Sequence, residues 1–210
     1  NVGPSDVVRR TLNLNEDDPL LVAGSTHSGE EEMVIEAFGK LIPEFPKLKL
    51  LIAPRHIDRV EEIESIIKKY GFEPARVSKL NEIRNTRYEI RILILDTIGH
   101  LNEAYSAATL VFIGGSLVKH GGQNPVEPAA LGRAILFGPH MFNFRYITKV
   151  LLKEDAALQI TGKEELIRNL KMLINDPLRR DSLGDNAKRV IAENRGATKK
   201  NLEEISEILR

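Results

Sequence analysis

The feature that most constrains the fold is a repeated alternation of short, almost continuous apolar runs with longer segments of helical periodicity. The apolar runs are four to six residues long and lie at residues 20–23, 48–53, 90–95, 109–113, 134–137 and 157–160. Such runs are typical of strands that helices cover on both faces, as in parallel sheets. The alternation therefore predicts an α/β fold with a parallel sheet flanked by helices.

The segments between the runs carry apolar residues on one helical face. These residues are Val34, Phe38, Leu41 and Ile42 in the first segment, and Val60, Ile63, Ile67 and Tyr70 in the second. From about residue 161 the pattern is helical throughout. We therefore predict a single Rossmann-like domain over residues 1–210, with a sheet core at about 18–160 and a helical carboxyl-terminal tail at about 161–210.

Composition limits the partners and the chemistry. The 30 Lys and Arg residues balance 30 Asp and Glu residues, and this balance argues against nucleic acid as a partner because phosphate neutralisation needs a basic surface. Without cysteine, the chain has no disulfide, thiol nucleophile or cysteine-ligated metal. No apolar run approaches the roughly 20 residues of a membrane span, and no signal peptide is visible. Because the chain starts at Asn1 rather than Met, we expect a piece of a longer protein.

The residues after each strand carry the functional information, because ligands of such sheets bind beyond the carboxyl ends of the strands. The first loop contains Gly24, Ser25, Thr26, His27 and Gly29. It matches neither common nucleotide-binding fingerprint. Its hydroxyl groups and the following helix N-terminus can bind phosphate. The alternative is a capping box, with Ser28 as the N-cap and Glu31 three residues later, in which residues 30–32 form a solvated acidic turn.

The second loop is Pro54-Arg55-His56. An arginine at a strand end can bind phosphate or carboxylate through two parallel hydrogen bonds. His56 can bond a phosphate or cap the next helix. The alternative for Arg55 is a surface ion pair with Asp58 or Glu61, which would contribute little.

Two further loops give weaker indications of function. In the loop after the third apolar run a structural role is favoured, and in the loop after the fifth run function and structure are equally open. The backbone at Ile98 and Gly99 can read a base edge, but capping of the next helix by Asp96 or Thr97 is the favoured interpretation. The segment 138–145 contains two phenylalanines with His140 and Asn143. Its aromatic rings either wall a sugar or a base, or fill the core.

The fourth loop favours function. Two glycine pairs, at 114–115 and 121–122, indicate that the backbone twice needs positive φ or a close approach. Asn124 is expected to cap a helix that has Pro125 in its first position. Glu127 then lies in the first turn, where its carboxylate can accept hydrogen bonds from a ribose diol. The alternative is a purely structural glycine-rich hairpin, which seldom needs so many glycines.

No metal site and no catalytic base are predicted within the chain. The five histidines are scattered along the sequence, and neither an HExxH motif nor a paired-Asp constellation occurs. No Ser-His-Asp set can be defended from the spacing. The loops together predict a cleft for an anion and a ribose.

An ordered set of motifs covers nearly the whole chain: Ala-Gly-Ser-Thr-His at 23–27, Pro-Arg-His at 54–56, Asp-Thr-Ile-Gly at 96–99, Gly-Gly-Ser-Leu-Val at 114–118, Gly-Gly-Gln-Asn-Pro at 121–125, Glu127 and Gly-Pro-His-Met-Phe-Asn-Phe at 138–144. The set closely resembles the carboxyl-terminal half of the 3-deoxy-D-manno-octulosonic acid (Kdo) transferases of Gram-negative bacteria. The resemblance implies one half of a two-domain GT-B glycosyltransferase. It implies transfer of Kdo from CMP-Kdo to a lipid A precursor, with inversion, at the cytoplasmic face of the inner membrane.

The resemblance also implies roles for residues in the matching motifs. The loop from Gly24 to Gly29 would face the phosphate or the Kdo carboxylate, Arg55 and His56 would hold negative charge, and Ile98-Gly99 would lie by the cytosine. Glu127 would bind the ribose hydroxyls. The other expected donor contacts are Pro54, Gly115, Ser116, Gly122, Gln123, Asn124, His140 and Asn143. Gln123 and His100 depart from the family pattern, since some members carry His and an acidic residue there.

The other half of the family holds the membrane-associating surface, the lipid acceptor site and the carboxylate base. The resemblance therefore implies that this chain alone binds CMP-Kdo without a metal or other cofactor, does not contact the membrane and turns nothing over. Two other classes fit some of the motifs. One is a UDP-sugar glycosyltransferase or UDP-sugar 2-epimerase domain, and the other is a non-catalytic nucleotide-binding module.

Overall fold

The computed structural model describes residues 9–10, 14–15, 18–80 and 90–208, with side chains as far as residue 194. Its centre is a parallel sheet with the strand order β3-β4-β2-β1-β5-β6-β7. The strands are β1 Leu20–Thr26, β2 Lys49–Pro54, β3 Pro74–Arg76, β4 Ile92–Ile94, β5 Leu110–Ile113, β6 Ala134–Phe137 and β7 Leu158–Gln159. The predicted α/β fold class is confirmed.

Helices cover the two faces of the sheet. They are α1 Glu30–Leu41, α2 Val60–Lys69, α3 Leu101–Ala107, α4 Val126–Ala130, α5 Arg145–Lys153, α6 Lys163–Asn175 and α7 Pro177–Ile208. Successive residues of each strand point to opposite faces. On one face, alternate residues of β1, β2 and β5 pack with α1, α2 and α6. On the other face, the remaining strand residues pack with α3, α4, α5 and α7.

The apolar face predicted for the first helix is buried in the structure. The face predicted for the second helix is buried except at its last residue. Val34, Phe38 and Leu41 are buried in α1. In α2, however, Tyr70 lies beyond the final turn and is 36% exposed. The helical tail forms as two helices, α6 and α7. The assignment of all 210 residues to one domain stays a prediction, because part of the chain lies outside the described residues.

Strand β3 was not predicted. It has three residues, begins with Pro74, and forms one edge of the sheet through its pairing with β4. A proline and an arginine at its ends leave only Ala75 buried, so it lacks the apolar run of the central strands. Edge strands need no such run, because only one side of their backbone is paired.

The sheet has its topological switch at β1, which lies between β2 and β5. The chain crosses in one direction from β1 to β2, and later crosses back to place β5 on the other side. The loops that follow these strands diverge at this point and leave a crevice beyond the carboxyl ends of the strands. Among the helices that the structure describes, none is both long and apolar enough to cross a membrane.

Candidate functional site

The floor of the crevice is organised by the carboxylate of Glu30, the first residue of α1. Its Oε2 accepts hydrogen bonds from the backbone N–H groups of Gly115 (2.6 Å) and His27 (3.0 Å). Its Oε1 accepts from Ser116 and Leu117, both at 2.9 Å. Glu30 is completely buried. One side chain therefore fixes the loop after β1 to the glycine-rich turn after β5.

The predicted capping box and solvated acidic turn are both wrong. Gly29, with φ 90°, occupies the N-cap position of α1, and no side chain caps the helix. Glu31 is completely buried like Glu30, and Arg59 donates to its two oxygens over 2.7 and 3.3 Å. These carboxylates are internal because each has partners far along the chain, which a reading of adjacent residues cannot reveal.

A cleft of about 460 Å³ opens between the carboxyl ends of β2 and β4. The predicted residues that line it are Ser25, Pro54, Arg55, His56, Ile98 and Gly99. Arg55 and His56 are exposed, and Ile98 is 86% exposed. Within the described chain, Arg55 forms no ion pair with Asp58 or Glu61. The cleft thus combines an available guanidinium with an apolar side chain.

Asp96 does not cap α3, contrary to the favoured interpretation of its loop. Its carboxylate accepts hydrogen bonds from the backbone N–H of Ser78 (3.0 Å) and from the Ser78 hydroxyl (2.5 Å). The N-terminus of α3 has no side-chain cap. Asp96 instead joins the loop after β4 to the turn after β3, which leaves residues 97–99 projecting into the cleft.

Three of the five histidines converge at the mouth of the crevice, although they are scattered in sequence. The rings of His27 and His120 are stacked, with centroids 4.2 Å apart and planes 14° apart. His56 meets His27 edge-on at 6.0 Å. Gln123 Nε2 donates to His27 Nε2 over 3.1 Å. His27 is therefore neutral in this arrangement, with its proton on Nδ1.

The electrostatics of this cluster agree with a neutral His27. Burial lowers the pKa of His27 most, and together with the charges of His120, His56, Arg55 and Arg59 it brings that pKa to about 4. Arg59 is neutralised by its acidic partners, Glu31 and Glu62. The remaining cationic groups leave an excess of positive potential in the mouth, which suits an anionic ligand.

Gly24, Thr26 and Ser116 are buried, and their predicted contact with the donor stays a prediction. The Ser116 hydroxyl donates to the Ile113 carbonyl over 2.5 Å and accepts from the Gly138 N–H over 2.8 Å. The amide of Gly115 is likewise engaged by Glu30. These residues shape the turn rather than face the cleft. Thr26 Oγ1 is buried without a hydrogen-bond partner among the described residues.

The second glycine pair places Gln123 beside His27. The N–H of Gly122 donates to the Gly115 carbonyl over 2.8 Å, and that of Gln123 donates to the Gly114 carbonyl over 3.0 Å. Gly122 has φ 75°, and a Cβ there would lie 2.1 Å from the sulfur of Met141. The two glycine pairs therefore hold the segments 114–117 and 121–123 against each other.

Asn124 and Glu127 form a small polar unit at the rim. α4 begins at Val126, one residue later than predicted, and Asn124 Oδ1 accepts from the Val126 N–H over 3.0 Å. Asn124 Nδ2 donates to Glu127 Oε1, also over 3.0 Å. Glu127 is exposed. The binding of a ribose diol by its carboxylate stays a prediction.

The two aromatic residues of the loop after β6 differ in burial, and contact of either ring with a sugar or a base stays a prediction. Phe142 is 47% exposed, whereas Phe144 packs against the core. His140 is half-buried, and its N–H donates to the Ser116 carbonyl over 2.9 Å. The exposed Asn143 donates through Nδ2 to the His120 carbonyl over 3.2 Å. This loop thus supports the histidine cluster from behind.

In the part of the chain that the structure describes, no group of three or more His, Cys, Asp or Glu residues is arranged to hold a metal ion. The chemistry available is the binding of an anion by Arg55 and the histidines, hydrogen bonding to hydroxyl groups by Glu127, and apolar contact at Ile98.

The chain is similar to known proteins over most of its length. It is 35% identical over 195 residues to the 3-deoxy-D-manno-octulosonic acid transferase of Haemophilus influenzae, covering 92% of this chain and 45% of that protein. It is 33% identical over 168 residues to a bifunctional glycosyltransferase/methyltransferase of Fusobacterium nucleatum, covering 80% of this chain and 25% of that protein. The chain thus spans less than half the length of these curated relatives. No family model matches.

Among solved structures, the chain is similar to the C-terminal CMP-Kdo binding domain of WaaA from Acinetobacter baumannii. The TM-score is 0.78 at 24% identity, and the match covers 88% of this chain and 97% of that one. At this identity the match establishes the fold.

Proposed function

We propose, from the premise that this chain belongs to the family of 3-deoxy-D-manno-octulosonic acid (Kdo) transferases, that it forms the donor-binding half of such an enzyme. Its ligand is the sugar nucleotide CMP-Kdo, held without a metal. The parent enzyme transfers Kdo with inversion to a lipid A precursor at the cytoplasmic face of the bacterial inner membrane. The acceptor site, the membrane contact and the catalytic base lie in the half that this chain does not match.

The observation that carries the proposal is the convergence of Arg55, His56 and His27 at the topological switch of the sheet. CMP leaves with the electron pair of its bond to the sugar, so negative charge on its phosphate grows in the transition state. A fixed cation at this position stabilises the growing charge more than the ground state and so accelerates transfer. Arg55 is suited to this role because no carboxylate among the described residues forms an ion pair with it.

The remaining parts of a nucleotide match the two flanks of the crevice. We assign the ribose hydroxyls to the carboxylate of Glu127, which Asn124 holds in place at 3.0 Å. We assign the base to the wall formed by Ile98 and Gly99, where an apolar side chain is 86% exposed. The ribose links the base to the phosphate, so we assign the phosphate to the end of the nucleotide that reaches Arg55 and the histidines.

The first test is thermal stability with CMP, UMP and AMP, each titrated to millimolar concentration. A ligand at 100 times its Kd stabilises the folded state by about 2.7 kcal/mol, which is a readable shift in Tm. We expect CMP to stabilise more than the other two. Preference for UMP would favour a UDP-sugar enzyme instead. Absence of any shift, both here and in a chain that carries the other half, would contradict a nucleotide site.

The second test substitutes Arg55 by Gln. Loss of a charge-assisted hydrogen bond costs about 1.5–3 kcal/mol, so we expect the Kd for CMP to rise at least tenfold. The matched control is Arg168→Gln, which removes an exposed arginine of α6 paired with Glu165 at 3.0 Å. The control should keep the wild-type Kd. An unchanged Kd in Arg55→Gln would favour a non-catalytic module that binds nucleotide elsewhere.

A further inference from the structure

The glycine-rich turn after β5 has the geometry of an anion-binding nest. Three successive N–H groups, of Gly115, Ser116 and Leu117, point at one place, and the N–H of His27 joins them from the loop after β1. Successive backbone amides of this kind commonly cradle phosphate or other anions. Here the anion is the protein's own Glu30 carboxylate, which is completely buried. The nest is therefore filled from inside the fold.

A glycine-rich loop often both shapes the backbone of a site and binds the ligand phosphate, whereas here the turn has only the first of these two functions. With its amides engaged by Glu30, the turn cannot also bind the phosphate of a ligand, so that charge must be met by side chains of the cleft. The filled nest instead fixes the two backbone segments that flank the imidazole of His27. A Cβ on Gly115 would lie 3.2 Å from His27 Cδ2, so the turn and the ring are in close contact.

We propose that Glu30 is a positioning residue of the donor site, whose buried carboxylate holds the turn at 115–117 and thereby keeps the His27 imidazole neutral and hydrogen-bonded to Gln123. This inference rests on the proposed donor-binding function for its effect on affinity. Its structural part stands apart from that function, because the state of His27 can be measured without any ligand.

Glu30→Gln tests the proposal with almost no change in volume. Each oxygen of Glu30 accepts two N–H groups. In either orientation of the new amide, its NH₂ group therefore faces two N–H donors, and the nest must open. We expect the NMR pKa of His27 to rise by at least one unit from about 4, because the ring becomes more solvated. We also expect the Kd for CMP to rise at least tenfold.

The groups that face His27 do not change in this variant. They are His120 after β5, and His56, Arg55 and Arg59 after β2. The matched control is Glu31→Gln. Glu31 is an equally buried carboxylate in the next position of α1, but it accepts hydrogen bonds from Arg59 rather than from the nest. This variant should lose stability and keep the His27 pKa near that of the wild type. A role of Glu30 in stability alone predicts the same result for both variants.

Rescue by a small anion gives a readout specific to the nest. Glu30→Ala empties the four amides, and added formate is expected to restore both the low His27 pKa and the CMP affinity. Formate should have no such effect on Glu30→Gln, whose side chain still fills the space. Failure of formate to act on a folded Glu30→Ala variant, or a wild-type His27 pKa in either Glu30 variant, would overturn the proposal.

If both Glu30 variants fail to fold, a pH titration of the wild-type protein tests the same proposal. Burial raises the pKa of Glu30, although its four backbone hydrogen bonds act in the opposite direction. Its carboxyl carbon can be followed by NMR as the pH is lowered. Nuclear Overhauser contacts between the His27 ring and Gly115 should vanish with the same midpoint, and their persistence would overturn the proposal. Wild-type protein that does not bind CMP would refute the proposed function alone.

Discussion

At the scale of single residues, Gly24 is a glycine that the packing of the core requires, because no side chain would fit at this position. A Cβ at this position would lie 1.9 Å from the hydroxyl oxygen of Tyr105, which is buried beneath the end of β1. The first loop was expected to bind phosphate through its hydroxyl groups and the following helix N-terminus. The group that approaches its first glycine is an aromatic ring of α3.

Gly24→Ala is accordingly expected to destabilise the fold by about 1–3 kcal/mol, the usual cost of overpacking a core. Urea unfolding measures this cost. Gly162→Ala is the control, because nothing lies within 4 Å of a Cβ at that position. The double variant Gly24→Ala/Tyr105→Phe should recover part of the loss, since the hydroxyl oxygen is the nearest atom. A Gly24→Ala variant as stable as the wild type would show that the strand end can shift.

The residues that sequence reasoning missed share one physical cause. Glu30 and the histidine cluster depend on partners that lie far along the chain, such as Gly115 for Glu30 and His120 for His27. Local signals, such as caps and spacing, describe neighbours within a few residues. Arg55 and Ile98 could be placed at the cleft because their positions follow directly from where strands end. The roles of these residues toward a ligand remain predictions.

At the scale of elements, the N-terminus of α1 is joined to the turn before α2 by a buried ion pair. Arg59 donates to both oxygens of Glu31, and its side chain is 16% exposed whereas that of Glu31 is fully buried. The hydrogen bonds to Glu62 and Glu31 hold the pKa of Arg59 well above its ordinary range. This pair fixes the spacing of two helices that lie behind the cleft.

Arg59→Met should destabilise the protein by about 3–5 kcal/mol, because it leaves the Glu31 carboxylate buried without its partner. Chemical denaturation measures the change. Arg76→Met is the matched control. Arg76 also donates twice to one carboxylate, that of Glu64, but both side chains are about a quarter exposed, so we expect a loss of about 1 kcal/mol or less. Equal losses in the two variants would contradict the importance of burial.

The elements themselves were predictable where burial on both faces is continuous. The central strands β1, β2 and β5 combine full apolar runs with flanking helical stripes, and all three were identified. β3 was not predicted from the sequence, because an edge strand of three residues needs only Ala75 in the core. The strand near 157–160 shrank to two residues for the same reason, since β7 forms the opposite edge.

At the scale of the whole molecule, the cationic crevice makes stability depend on pH. Burial and neighbouring charge lower the folded-state pKa of His27 to about 4, below its unfolded value near 6.5. Between these values the unfolded chain binds more protons than the folded one. The contribution of His27 to the free energy of unfolding must therefore fall as the pH drops through this interval.

His27→Gln is expected to flatten this acid limb, because it removes the group whose folded and unfolded pKa values differ. Urea unfolding at pH 7, 6, 5 and 4 gives the two curves. Wild type and variant should run parallel above pH 6.5 and converge below it. In addition, a bound phosphate would raise the His27 pKa and flatten the wild-type curve. Curves that stay parallel to pH 4 would contradict the burial of this ring.

The central position of β1 also has a consequence for how the protein is made. Of the seven strands that the structure describes, β1 is synthesised first, yet one of its two hydrogen-bonding edges pairs with β5, the fifth strand along the chain. At usual rates of translation, the ribosome needs on the order of seconds to proceed from β1 to Ile113. During that delay an apolar strand keeps an open edge. Until β5 emerges from the ribosome, this edge of β1 is therefore available for pairing with other strands, and synthesis of Leu110–Ile113 closes it.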